Sequence, residues 1–224
     1  MDYVIPEKST LFRGVPAKEL RDILHDTPQQ IRRYDKDETV FHLTAPAERV
    51  GIVLEGHAQA QRSFPNGSQV NVSVRGPGAL IGAAAVFSTA QRYPCDVVAL
   101  DPVTVLMFKK EDLLHLMQKD LRIMENFVTE ISSAACMLQQ RLELFSYSGI
   151  AQKAAFWLLT RRRQTGNDRV RIPGSMTEWA LLMNVSRPSL HRELKQLVDL
   201  GILAYAPPVI TILDPAALQD VLGR

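Results

Sequence analysis

Between Arg187 and Leu197, Leu190, Leu194 and Leu197 recur at helical spacing while Arg187, Ser189, His191, Arg192 and Lys195 fall opposite them. Ser186 can cap such a helix, and Pro188 falls in its first turn, where a missing N–H costs nothing. Just upstream, Thr177 to Val185 reads as another short helix, with Thr177 as its N-cap and an end near Asn184, a residue that tolerates the left-handed conformation. Two short helices joined so tightly predict a helix-turn-helix. The second helix of that motif lays its N-terminal residues against base edges in the major groove of double-stranded DNA. The candidate contacts are Thr177, Ser186, Arg187, Pro188, Ser189, His191, Arg192 and Lys195.

Other chemistries are poorly served. A cupin-like small-barrel metal enzyme, the alternative reading, needs three or four convergent His and carboxylate ligands. Gly56-His57-Ala58-Gln59 has no second histidine two residues on, and HxxxH, HExxH, GxSxG, a phosphate-cradling glycine loop and nucleophile-triad spacing are all missing. No metal site and no enzyme are therefore expected. Cys95 and Cys136 are the only cysteines; they form no CxxC pair, which argues against a cysteine-held zinc or iron–sulfur site, and two buried, reduced thiols are expected.

These residues need elements to position them, and periodicity supplies two kinds. Val50–Leu54, Gln69–Val74, Val97–Ala99 and Val103–Phe108 read as short strands, the second alternating like a half-buried antiparallel strand. Asn66-Gly67 marks a hairpin turn between two such runs. Many short strands without intervening helices predict an antiparallel barrel over about residues 20–108, after a short amphipathic opening at Pro16–His25. The period then changes. Leu121, Val128, Ala135 and Leu142 stand seven apart, with Met124, Ile131, Leu138 and Phe145 at the alternate positions. That narrow seam predicts a two-chain coiled coil about 37 Å long, and Met124 and Met137 read as packing residues. Gly201–Tyr205 and Val209–Leu213 flank Pro207-Pro208 as a wing hairpin, which Arg169–Pro173 would join.

Charge follows the same division. Residues 1–149 carry 16 Lys and Arg against 18 Asp and Glu, a net −2, whereas residues 150–224 carry 10 against 6, a net +4. The Arg161-Arg162-Arg163 run belongs to the basic part, as phosphate contacts or a solvated face. No apolar run approaches the ~18 residues of a membrane span, and Met1–Lys8 lacks the features of a secretory signal, so a cytoplasmic place is expected.

In this order, the barrel, the heptad helix, Ser186-Arg187-Pro188-Ser189-Leu190-His191-Arg192-Glu193-Leu194 and Leu200-Gly201-Ile202-Leu203, the chain resembles the CRP/FNR family of bacterial transcription regulators. The resemblance implies an α+β architecture: a sensor barrel of the cyclic-nucleotide-binding, double-stranded β-helix type at 1–110, a dimerisation helix at 111–147 and a winged helix-turn-helix at 148–224. It implies a homodimer, a palindromic site, RNA polymerase as a partner and an effector held in the barrel. Arg192 matches the residue that grips a guanine, its guanidinium fork suiting the O6 and N7 acceptors. Pro188 stands where the family often has a base-reading glutamate, and His191 where serine or glycine is usual.

The family's cyclic-nucleotide cassette pairs a glycine-glutamate with a later arginine-serine or arginine-threonine. Here Gly82-Ala83 and Arg92-Tyr93-Pro94 stand instead, and Asp96 would repel a phosphate, so no cyclic nucleotide is expected. The N-terminal cysteine cluster of the iron–sulfur sensors is missing too. Gly82, Ala83, Arg92, Tyr93, Pro94, Met124 and Phe127 mark the expected effector pocket. Its ligand is left open among haem with a gas bound, a hydrophobic small molecule, a redox signal and no effector at all, with His42, His57, His115, Cys95 or a methionine as the candidate haem ligands.

Overall fold

The computed structural model describes residues 9–63 and 69–223, with residues 69–72 as backbone alone; the expected Asn66-Gly67 turn lies outside them. Two compact units divide at Ala134/Ala135.

The N-terminal unit opens with α1 (Ala17–His25), the expected amphipathic helix, which buries Leu20 and Leu24. Strands β1 (Gln30–Tyr34), β2 (Thr39–Phe41), β3 (Arg49–Glu55), β4 (Ala58–Ser63), β5 (Gln69–Arg75) and β6 (Leu80–Ile81) follow. After them come the short helix α2 (Ala83–Phe87), β7 (Asp96–Ala99) and β8 (Val103–Lys109). The expected barrel takes the form of two four-stranded antiparallel sheets, β1-β8-β3-β6 and β2-β7-β4-β5. Both sheets feed one core: Val50, Ile52, Val53, Val105, Leu106 and Phe108 from the first, with Phe41, Ala58, Val97 and Ala99 from the second. In β3, Val50 to Leu54 are buried without interruption, because neighbours cover both faces. A Cβ on Gly51 would come 2.6 Å from Val105 Cγ1, so this crowded crossing needs a glycine.

The helical stretch expected at 111–147 is two helices, α3 (Lys110–Lys119) and α4 (Leu121–Ser146). Between them Asp120 has extended backbone, and its carboxylate accepts from the Arg122 backbone N–H at 2.8 Å. That bond satisfies an orphan donor in the first turn of α4. Arg122 also bridges Asp120 to Glu19, and the Asn126 side-chain amide donates to the Leu11 and Arg13 carbonyls at 3.0 and 2.8 Å. Ile123 and Phe127 are buried and Ile131 partly so, a stripe of three residues spaced four apart against the core. Phe127 meets Phe87 edge-on at 5.0 Å.

In the C-terminal unit, the end of α4 buries Leu144. Helix α5 (Ile150–Thr165) buries every residue from Ala154 to Leu159, an unbroken apolar run, and ends at Gly166 with φ +67°. Then come β9 (Arg169–Arg171), α6 (Met176–Leu182), α7 (Arg187–Asp199), β10 (Leu203–Ala206), β11 (Val209–Ile212) and α8 (Pro215–Leu222). The strands form an antiparallel sheet in the order β10-β11-β9, so Arg169–Arg171 joins the wing hairpin as expected.

Two expectations are corrected. Ser175, not Thr177, caps α6: its hydroxyl accepts from the Glu178 backbone N–H at 3.2 Å, and Thr177 lies inside the first turn. Nor are the cysteines two buried thiols. Cys136 is exposed on α4, outside the Ile123–Phe127–Ile131 stripe that packs on the N-terminal core, and Cys95 is half-buried just before β7.

Candidate nucleic-acid interface and effector cleft

Helix α7 is held from below and open above. Ser186 has extended backbone, and its side chain accepts from the Ser189 backbone N–H at 3.2 Å. Leu190, Leu194 and Leu197 are at most 4% exposed and anchor the helix in the C-terminal core. Asn184 takes φ +52° and turns the chain from α6 into α7. Trp179, fully buried on α6, packs at 5.0 Å against Trp157 of α5. This rigid base leaves Arg187, Pro188, His191, Arg192 and Lys195 exposed, with Ser189 half-buried and Thr177 exposed on α6. No side-chain partner within the described residues engages Arg187, Arg192 or Lys195, so their positive charge is free to meet an external anion.

The Arg161–Arg163 run is partly spent inside the unit. Arg162 pairs with Asp168, Arg161 lies 5.4 Å over the Trp157 ring and donates to Gln164 at 3.2 Å, and Arg163 reaches Thr160 at 3.4 Å. Arg169 and Arg171, exposed on β9, add to the basic character of this unit.

The N-terminal unit contains a cleft of about 160 Å³. Gly82, Ala83, Tyr93 and Pro94 line it, but Arg92, Met124 and Phe127 do not. Arg92 turns to donate to the Thr44 carbonyl at 2.6 Å, Met124 is exposed, and Phe127 is buried in the core. Gly82 has φ +78°, and a Cβ there would come 2.9 Å from the Phe41 ring and 3.1 Å from the Arg49 carbonyl. Tyr93 stacks on Phe41 at 4.3 Å and is tied to Arg49 twice, donating to its carbonyl at 2.7 Å and accepting from its N–H at 3.3 Å. Burial pushes the Tyr93 hydroxyl's pKa up, against the opposing pull of the Arg49 hydrogen bond. That hydroxyl is part of the wall.

Residues that sequence reasoning missed complete the cleft. Ser73 and Arg75 come from β5 and Glu130, Ile131 and Ala134 from α4, while Cys95, expected only as a haem ligand, follows Pro94. Arg75 and Glu130 form an ion pair at 3.6 Å, with side chains 32% and 26% exposed. No periodicity relates these two residues, since only the fold brings β5 and α4 together. Ile131 lines the cleft and also belongs to the heptad seam.

The candidate haem ligands do not converge here. His42, His57 and His115 are exposed and absent from the lining, and His57 Nδ1 pairs with Asp101 at 2.8 Å, a bond that holds the Asp101 carboxyl below its usual pKa. Cys95 does line the cleft, but burial pushes its thiol pKa up, away from the thiolate a metal prefers. The cleft therefore does not fit haem. Among the described residues, no group of three His, Cys, Asp or Glu stands close enough to hold a metal ion, and no helix is long and apolar enough to cross a membrane.

Comparison with known proteins agrees with this division. Residues 31–120 match the family model of the cyclic nucleotide-binding domain, and residues 152–221 match that of the Crp-like helix-turn-helix domain. The cyclic AMP receptor protein of Thermus thermophilus is 23% identical over 213 residues, covering 95% of this chain and 96% of that protein. The global nitrogen regulator of Synechococcus elongatus is 22% identical over 218 residues, covering 94% and 95%. Among solved structures, the catabolite activator protein of Thermus thermophilus shares the fold, with a TM-score of 0.57 at 22% identity over 96% of this chain and 99% of that one. These relatives are regulators and not enzymes. With both domain models in order and the helix-turn-helix built as described, the chain belongs to the CRP/FNR family of bacterial transcription regulators.

Proposed function

We propose that this regulator works in the cytoplasm as a homodimer, binding a palindromic DNA site through two copies of α7 under control of an effector held in the cleft. The observation that carries the reading is the exposed face of α7, where the cations Arg187, Arg192 and Lys195, with His191 beside them, stand over a buried leucine face. Arg192 is assigned to a guanine edge; Thr177, Ser186, Arg187, Pro188 and Ser189 surround the groove, and Lys195 meets a phosphate.

The dimer reading rests on α4. Leu121, Val128, Leu138, Leu142 and Phe145 are all at least 50% exposed, Met124 is 37% exposed, and Ala135 is exposed too. An apolar stripe of this kind on a lone chain is costly to leave in water and is suited to a second copy. Two-fold symmetry then sets the two recognition helices to read half-sites about 34 Å apart. Effector control works by population shift: an occupant touching Ile131 and Ala134 biases how the paired helices seat, and with them the two copies of α7. RNA polymerase is the partner the family implies.

The relative from Thermus thermophilus is named for cyclic AMP. That ligand is not assigned here, because Ala83 offers no ribose acceptor, Arg92 is turned to Thr44, and Tyr93 is committed to Arg49. Isothermal titration with cyclic AMP should give no tight saturable binding. Arg192→Ala should cost about 1–3 kcal/mol on operator DNA and relax selectivity at one base pair of each half-site. A titration against operator and scrambled duplexes tests the assignment, and equal weakening of both DNAs would reject it.

A further inference from the structure

We propose that the cleft takes a compact apolar molecule ending in a carboxylate, which pairs with Arg75 in place of Glu130. This rests on the reading of the cleft as the effector site and names its ligand class. The walls offer Ala83, Val97, Ile131 and Ala134, with the Tyr93 hydroxyl already engaged by Arg49. Among the described residues, Arg75 and Glu130 supply the only charges in the lining, and they meet at 3.6 Å, beyond hydrogen-bond distance. Neither has another partner among the described residues.

A guanidinium presents five donors in a planar fork, and here that fork makes a single loose ion contact. A ligand carboxylate can engage it with two parallel charge-assisted hydrogen bonds, which Glu130, held by its own helix, does not achieve. Both side chains keep partial access to water, so Glu130 can swing out and stay solvated when displaced. A neutral ligand of the same shape would leave the ion pair in place and gain only apolar contact. A cyclic nucleotide asks for several further polar groups that this lining does not offer.

Calorimetric titration of the full chain with isovalerate and isovaleramide separates the charge from the shape. Isovalerate should bind saturably and the amide at least tenfold more weakly. Arg75→Gln should weaken the acid at least tenfold with an unchanged unfolding midpoint, and Glu130→Gln, which removes the competing carboxylate, should bind it at least as tightly as the parent. Equal affinity for acid and amide would overturn the proposal, as would undiminished binding by Arg75→Gln. So would the absence of saturable binding for isovalerate, 2-methylbutyrate and benzoate alike. Saturable isovalerate binding that left DNA affinity untouched would reject the regulatory reading of the cleft while the ligand class stood. Failure to bind any acid, beside normal dimerisation and DNA binding, would overturn the ligand class alone.

Discussion

Leu138 and Leu144 sit six residues apart on α4, and truncating each to alanine should fail in opposite ways. Leu138 is 62% exposed and Leu144 is 3% exposed. Fully burying a leucine side chain is worth ~1.5–3 kcal/mol, so covering the open part of Leu138 contributes about 1–2 kcal/mol per chain. A two-fold interface counts it twice, and Leu138→Ala should cost the association about 2–4 kcal/mol, raising the dimer Kd roughly 30- to 1,000-fold. The fold of each chain should be almost unaffected. Leu144→Ala instead opens a cavity in the C-terminal core and should cost about 2–5 kcal/mol of that unit's stability. Sedimentation velocity over a dilution series reads the first effect and urea unfolding the second. A Leu138→Ala protein that dimerises as tightly as the parent would refute the seam. A denaturation midpoint lowered as far as in Leu144→Ala would show that Leu138 packs within its own chain.

Lys195→Ala should weaken operator and scrambled DNA alike and lower the salt slope of binding by about one unit, read from titrations at several salt concentrations; a loss confined to the operator would contradict the phosphate assignment. The Arg122 guanidinium hydrogen-bonded to Asp120 holds that carboxyl below the usual range. A folded-state pKa below the unfolded ~3.9 stabilises above that value and is lost as pH falls through the folded one. Asp120→Asn should therefore be less stable than the parent at neutral pH, with the gap closing on acidification below about pH 4; a gap constant with pH in thermal unfolding would contradict this. Gly82→Ala adds a Cβ at φ +78° against Phe41 and the Arg49 carbonyl and should cost about 1–3 kcal/mol in chemical denaturation; an unchanged midpoint would show that the turn relaxes freely.

What the sequence made legible was local. The α7 cap at Ser186, its leucine face, the left-handed Asn184 and the wing strands all follow from patterns within a few residues, and each stands where expected. The α6 cap is legible too, since Ser175 and Glu178 have capping-box spacing, although Thr177 offers a second hydroxyl two residues on. Tertiary pairings were hidden. Nothing in the order of residues relates Arg75 to Glu130, turns Arg92 toward Thr44 or ties Tyr93 to Arg49, because each depends on how segments far apart in the chain meet. Ile131 shows the limit most plainly. A heptad count gives it one role in the seam, whereas the fold also packs it against the N-terminal core and the cleft, so a substitution there would perturb both at once.

Central to this account is that the chain reads a two-fold DNA sequence as a dimer. Selection of binding sites from a random duplex library by the purified protein, followed by sequencing of the enriched pool, tests it most directly. An inverted repeat with half-site centres about one helical turn apart, lost when Arg192 is replaced by alanine, is the expected result. A pool with no enriched sequence, or one enriched only for a lone asymmetric half-site, would contradict it.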